Sequence, residues 1–100
     1  MLLLTRRIKE KLTIGDDLEI TLIWIKNKKI KIEVYNKKTK SSNIVILVLR
    51  KFYELNKDVS IMITYVSRSQ ATFGIRAPKE ISIHRYEIYL KILAGIPISR

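Results

Sequence analysis

Between Leu18 and Val34 an apolar side chain falls on every second residue: Leu18, Ile20, Leu22 and Trp24, then, past Lys26-Asn27-Lys28, Ile30, Ile32 and Val34. A period of two is what a strand needs to turn one face to a core and the other to water. A short polar break that keeps the parity predicts a hairpin around Asn27. Val59, Ile61, Ile63 and Tyr65, the turn Ser67-Arg68-Ser69-Gln70, and Ala71, Phe73 and Ile75 predict a second hairpin of the same kind. The first segment alternates too, with Leu2, Leu4, Ile8, Leu12 and Ile14 on even positions, Thr5, Arg7, Lys9 and Lys11 on odd ones, and Gly15-Asp16-Asp17 as a turn. On this reading Trp24, Tyr65, Phe73 and Ile75 pack in the core. A chain of 100 residues has room for one such core, so the prediction is a single, mainly β domain.

The remaining segments read differently. Residues 35 to 43 are a polar loop, with Ser42 or Asn43 placed to cap a following helix. Ile44-Val45-Ile46-Leu47-Val48-Leu49 taken alone could be a buried strand. Ile44, Leu47, Val48, Phe52 and Leu55 fit one helical face, however, and the length of the run to Asn56 decides for a helix over about 43–56. Ala77-Pro78-Lys79-Glu80 is a break, and Ile81-Ser82-Ile83 is a brief strand. From Arg85 a helix with Ile88, Tyr89, Ile92 and Leu93 on its apolar side runs to Gly95, with Pro97 preventing continuation and the last three residues a tail. Residues 17–34 and 58–75 also align without gaps, although only Asp17/Asp58 and Ile20/Ile61 are identities. Two hairpins of equal length share their alternation, so the pattern alone is accounted for by chance and a duplication stays open.

Lys and Arg number 20 against 9 Asp and Glu, a net charge of +11, which points to a polyanionic partner, nucleic acid first. The most basic stretch is 36–57, with six Lys/Arg and one Glu. Hydrophobic residues at 47% argue for a packed domain rather than a basic tail. Without cysteine there is no disulfide framework or thiolate metal cluster, which fits a reducing compartment. One histidine and three glycines leave no usual catalytic or phosphate-cradling constellation, so no enzyme, cofactor or metal is expected. Asp16-Asp17, directly after Gly15, reads as turn chemistry. Arg6-Arg7 interrupt the opening Leu2-Leu3-Leu4 too early for a signal peptide, and the apolar run 44–49 is far below the ~20 residues that span a bilayer. A soluble, cytoplasmic protein is expected. In isolation, Arg6-Arg7 read as a solvated strand edge, and Lys26, Lys28, Lys29 and Lys31 as a hydrated surface that attracts phosphates at long range.

The segments Met1-Leu2-Leu3-Leu4-Thr5-Arg6-Arg7-Ile8-Lys9-Glu10, Leu12-Thr13-Ile14-Gly15-Asp16, Gly74-Ile75-Arg76-Ala77-Pro78-Lys79-Glu80-Ile81-Ser82-Ile83-His84-Arg85 and Glu87-Ile88-Tyr89 together resemble the carbon storage regulator (CsrA/RsmA) family. The resemblance implies a small five-stranded protein that forms an intertwined homodimer. It also implies binding to GGA-containing loops of messenger and small regulatory RNAs, which usually blocks ribosome access to a translation start. Two composite sites are implied, each joining the first strand of one chain to the last strand and helix start of the other. Carried onto this sequence, that selects Leu4, Thr5, Arg6 and Arg7 with Ala77, Pro78, Ile83, His84 and Arg85, and Arg85 foremost. Its guanidinium can bond phosphate or a guanine edge through two parallel hydrogen bonds. Leu4 and Ile83 would wall the bases, and His84 reads equally well as a packed interface histidine.

The chain is longer than ordinary members and has one hairpin more than the family pattern. The expected architecture is a CsrA-like intertwined β-sheet dimer with a C-terminal helix. Its insertion covers about 35–75, or 17–57 if the other hairpin is the added one, and consists of loop, helix and hairpin. Lys9-Glu10 stands where the family has Gly-Glu. The insertion would add to an ordinary dimer, with Lys37, Lys38, Lys40, Arg50 and Lys51 enlarging the phosphate footprint, or re-route the exchanged strands, or bury the pocket. The last case makes the protein a partner subunit of an ordinary regulator. Two other classes compete: a protein-interaction module using exposed Val45, Ile46 and Leu49 on a helix, and an unspecific basic nucleic-acid binder. No membrane and no small-molecule substrate is expected.

Overall fold

The computed structural model describes residues 1–96; the stop at Pro97 and the terminal tail lie outside the described residues. Nine strands and one helix follow in the order β1 (Leu2–Arg7), β2 (Lys11–Ile14), β3 (Leu18–Lys26), β4 (Lys29–Asn36), β5 (Ser41–Val48), β6 (Tyr53–Asn56), β7 (Val59–Val66), β8 (Gln70–Arg76), β9 (Ile83–Arg85) and α1 (Tyr86–Leu93). They form two antiparallel sheets, one in the order β1-β8-β7-β6 and the other β5-β4-β3-β2-β9.

Both predicted hairpins are present. The β3–β4 turn holds Asn27 and Lys28 at φ 51 and 62, the two left-handed residues of a type I′ turn, whose twist matches that of the flanking strands. The inward residues of both sheets meet in one core, from Leu12, Ile20 and Ile32 of one sheet to Ile61, Phe73 and Ile75 of the other. Fully burying such a side chain is worth about 1.5–3 kcal/mol.

Trp24 and Tyr65 are not core residues. Each strand carries a bulge just before them, between Leu22 and Trp24 in β3 and between Ile63 and Tyr65 in β7. The extra residue reverses the alternation. Tyr65 is 56% exposed, and Trp24 lies half-buried under the Lys31 ammonium at 5.2 Å.

The helix expected over 43–56 is replaced by β5 and β6. β5 pairs with β4 along its whole length, so Ser42 and Asn43 are strand residues rather than caps. Val45 and Leu47 turn into the core while Ile44, Ile46 and Val48 face out. Because the outward positions are apolar as well, period two is invisible in the sequence, and β-branched residues favour the pleated state. Arg50, at φ 64, then ends the strand. The interaction surface expected on that helix changes with it: Val45 is buried, Leu49 packs partly against the core, and Ile46 stays exposed. The polar loop shrinks to a turn over 37–40, in which the Asn36 carboxamide oxygen accepts from the Lys38 and Thr39 amides at 2.9 and 3.2 Å.

Lys9 also sits in left-handed geometry, at φ 75, where its Cβ crowds the backbone. Its amide donates to the carbonyl of Leu22, at the β3 bulge, at 2.6 Å, so the conformation is locked in place. Lys9→Gly relieves the strain and is expected to add about 0.5–1 kcal/mol after the entropy glycine loses on folding, several degrees in Tm by calorimetry. A lower Tm would show that the lysine stem contributes more than its backbone costs.

α1 ends as predicted. Gly95 stands at φ 71, its amide donates to Ile92 and that of Ile96 to Lys91, which is a Schellman cap.

Candidate nucleic-acid interface

β1 lies at the edge of one sheet and β9 at the edge of the other, and α1 begins directly after β9. The segments that carry these edges meet at two points, the ends of a seam. At one end Leu2 and Ile83 line a common groove of about 240 Å³ with Met1, Ala77 and Pro78. At the other end Arg6 is bonded to Glu87 of α1. Leu4 and Arg85 fall between these contacts in both segments.

Arg6 is the clamp. It is 5% exposed, because β1 alternates and position 6 shares the inward parity of Leu4. Its Nη1 donates to Glu87 Oε1 at 2.9 Å and to the Lys11 carbonyl at 2.9 Å. Nη2 donates to Glu87 Oε2 at 3.1 Å, and Nε to the Thr5 carbonyl at 3.0 Å. One guanidinium thus joins β1, β2 and α1 through the planar fork that only arginine has. The Arg6 bonds to both carboxylate oxygens hold Glu87 below its ordinary pKa of 4.5, outweighing the partial burial that opposes ionisation.

A second tie fixes the same helix. Lys37 donates to the Tyr89 hydroxyl at 3.1 Å, lies 4.3 Å from the centre of that ring and sits 3.5 Å from Glu19. Burial alone would lower the Lys37 pKa, but the Tyr89 hydroxyl and the Glu19 carboxylate more than compensate and leave it raised above 10.5. Lys37 is therefore spent on docking α1, while Lys38 and Lys40 remain exposed.

Thr5 and Arg7 face outward. The Thr5 hydroxyl pairs with that of Thr72 at 2.8 Å, and the Arg7 amide donates to Glu10 at 2.7 Å, leaving its side chain exposed. Arg85 is the N-cap residue of α1 in extended geometry, with φ −61 and ψ 144, and its side chain is half-exposed. Its nearest acid is Glu87 at 3.9 Å, too distant to immobilise it. His84 is half-exposed, and its carbonyl accepts from the Thr13 hydroxyl at 3.4 Å. Of the nine residues singled out from sequence, Arg6 points inward, Leu4, Ala77 and Ile83 pack partly against the core, His84 is half-exposed and Thr5, Arg7, Pro78 and Arg85 are exposed, all of them in the segments that flank the seam. The sequence reading missed Glu87, Lys37 and Tyr89 as the groups that fix it. The inward parity of position 6 is the signal that could have found the clamp.

Sequence comparison matches the Global regulator protein family, CsrA, to the chain in two segments, residues 1–41 and residues 37–94. The chain belongs to the CsrA family. CsrA-family members are RNA-binding regulators acting after transcription, and they act as dimers. No solved structure matches the chain. Among the described residues no helix is long and apolar enough to cross a membrane.

Proposed function

We propose that the chain recognises a GGA-bearing loop of messenger or small regulatory RNA along the seam between β1 and β9–α1, and thereby controls translation or message stability. The observation that carries this reading is the Arg6–Glu87 clamp, which ties edge strand β1 to α1, the helix that directly follows edge strand β9. On its open side each edge strand has backbone groups without a strand partner, although on β1 the Thr5 carbonyl is taken by Arg6 and the Arg7 amide and carbonyl by Glu10. Unstacked loop bases offer their Watson–Crick edges to such groups, which is how single-stranded RNA is read by sequence.

Arg85 supplies the bidentate contact to guanine or phosphate from a backbone position fixed by β9 and the start of α1. Thr5 and Arg7 contact the strand from β1, while Leu4 and Ile83 provide apolar walls. Ala77 and Pro78 shape the groove beyond Ile83. Arg6 acts as a positioning residue, and His84 contributes its backbone. The surplus of Lys and Arg gives long-range attraction and a salt-dependent share of affinity. No step calls for catalysis.

Fluorescence anisotropy with a hairpin RNA bearing GGA in its loop, against a matched hairpin without it, tests the reading. A clear preference for GGA that persists as salt is raised is expected. Equal, salt-sensitive affinity for both would make the protein an unspecific basic binder.

A further inference from the structure

The strand pairings of the two sheets are related by a constant offset of 41 residues. In the β1–β8 pair Leu2 faces Ile75, Leu4 faces Phe73 and Arg7 faces Gln70. In the β5–β4 pair Asn43 faces Val34, Val45 faces Ile32 and Val48 faces Lys29. Each residue of β1 moves forward by the offset and each partner moves back by it. The hairpins agree as well: Glu19↔Tyr35 and Ile20↔Val34 correspond to Ser60↔Arg76 and Ile61↔Ile75, and the bulge at Leu22/Trp24 recurs at Ile63/Tyr65.

The turns repeat to the same degree. Lys9 and Arg50 are both left-handed, with φ 75 and 64. The amide of Lys9 donates to Leu22 at 2.6 Å and that of Arg50 to Ile63 at 2.9 Å. Glu10 bonds to Arg7 at 3.0 Å and Lys51 to Val48 at 3.2 Å. Alternation explains none of this, because hairpins of equal length need share neither a bulge position nor a left-handed residue with its hydrogen bond. The two family matches, moreover, overlap at residues 37–41 instead of leaving an insert between them.

We infer that the chain holds two copies of one four-stranded unit, β1–β4 and β5–β8, which exchange their first strands within a single chain, and that only one of the two resulting pockets is complete, so that one chain alone takes one RNA loop. The RNA part of this inference rests on the function proposed above; the strand exchange does not.

The incompleteness is visible at the end of each sheet. Beyond β2 lies β9, with Leu12 facing Arg85 and Ile14 facing Ile83. Beyond β6, the counterpart of β2, no strand follows among the described residues. The reason is the connection: β8 continues through β9 into α1, whereas β4 passes through the turn 37–40 directly into β5. Leu12 is accordingly buried while Tyr53, its counterpart, is 44% exposed. The chemistry has gone with the strand. Arg6 and Arg7 of the complete pocket correspond to Leu47 and Val48, so among the described residues the counterpart has no clamp, no helix and no guanidinium on that strand.

Sedimentation equilibrium of the free chain at micromolar concentration, with calorimetric titration of a GGA hairpin, tests both parts. The expected mass is that of one chain, 11.8 kDa, and the expected stoichiometry one RNA per chain. Arg85→Ala should weaken binding at least tenfold and Val48→Ala leave it unchanged. A free mass of two chains overturns the exchange within one chain. Two RNAs per chain, one RNA per two chains, or equal losses from the two variants overturn the single complete pocket. A monomer that binds no hairpin overturns the RNA reading and the pocket with it, and leaves the strand exchange standing.

Discussion

Replacing Arg85 by alanine is expected to lower affinity for a GGA hairpin by roughly 10- to 100-fold, because a bidentate contact to guanine is worth about 1–3 kcal/mol and each 1.4 kcal/mol is tenfold. The folded state should hardly notice. The Arg85 side chain is half-exposed, and an ion pair of 3.9 Å in water contributes little. Lys28→Ala gives the contrast. Lys28 is an exposed turn residue of the β3–β4 hairpin, and its loss should weaken GGA and control RNAs alike and reduce the salt dependence slightly. If Arg85→Ala instead weakens both RNAs equally, Arg85 is a phosphate contact and the reading of guanine lies elsewhere on the seam.

Arg6→Ala is expected to cost about 2 kcal/mol of stability, which for a domain of this size lowers Tm by roughly 8–16 °C. The change removes hydrogen bonds to both Glu87 oxygens and strips the Lys11 carbonyl of its donor. It also frees α1 from β1, so RNA affinity should fall although Arg6 itself faces inward. Arg6→Lys should rescue little, since a single ammonium cannot bond both carboxylate oxygens and the carbonyl in one plane. The Glu87 pKa is lowered in the folded state. Its contribution is therefore complete above the ordinary 4.5 and is lost as pH falls through the folded value. Thermal unfolding followed by circular dichroism should show the wild type and Arg6→Ala far apart at neutral pH and closer together in acid. An unchanged gap in acid would assign the loss to packing of the Arg6 stem rather than to Glu87.

The hairpins were legible because each has one face in the core, and a type I′ turn around Asn27 keeps the parity of its two strands. Trp24 and Tyr65 were misplaced because a bulge leaves no mark in the hydrophobic pattern. β5 was hidden for a related reason: Ile44, Ile46 and Val48 are apolar on the outward face, and the break after it falls on Arg50 instead of glycine. The seam residues could be named from the motif. The direction of Arg6 was written in the even parity it shares with Leu4, but a charged residue on an inward face reads as surface until its partner is known, and Glu87 is remote in sequence. The offset of 41 was equally present in the sequence. Alternation alone could not give it meaning, whereas matched registers, bulges and left-handed residues do.

The central claim is that RNA lies along β1 and β9–α1 and nowhere equivalent. Backbone chemical-shift mapping by NMR during titration with a GGA hairpin reads this directly. Perturbations concentrated at Thr5, Arg7, His84 and Arg85, with Ile46 and Val48 unmoved, are the predicted result. Equal perturbation of β1 and β5, or changes confined to the lysines of the β3–β4 turn, would contradict it.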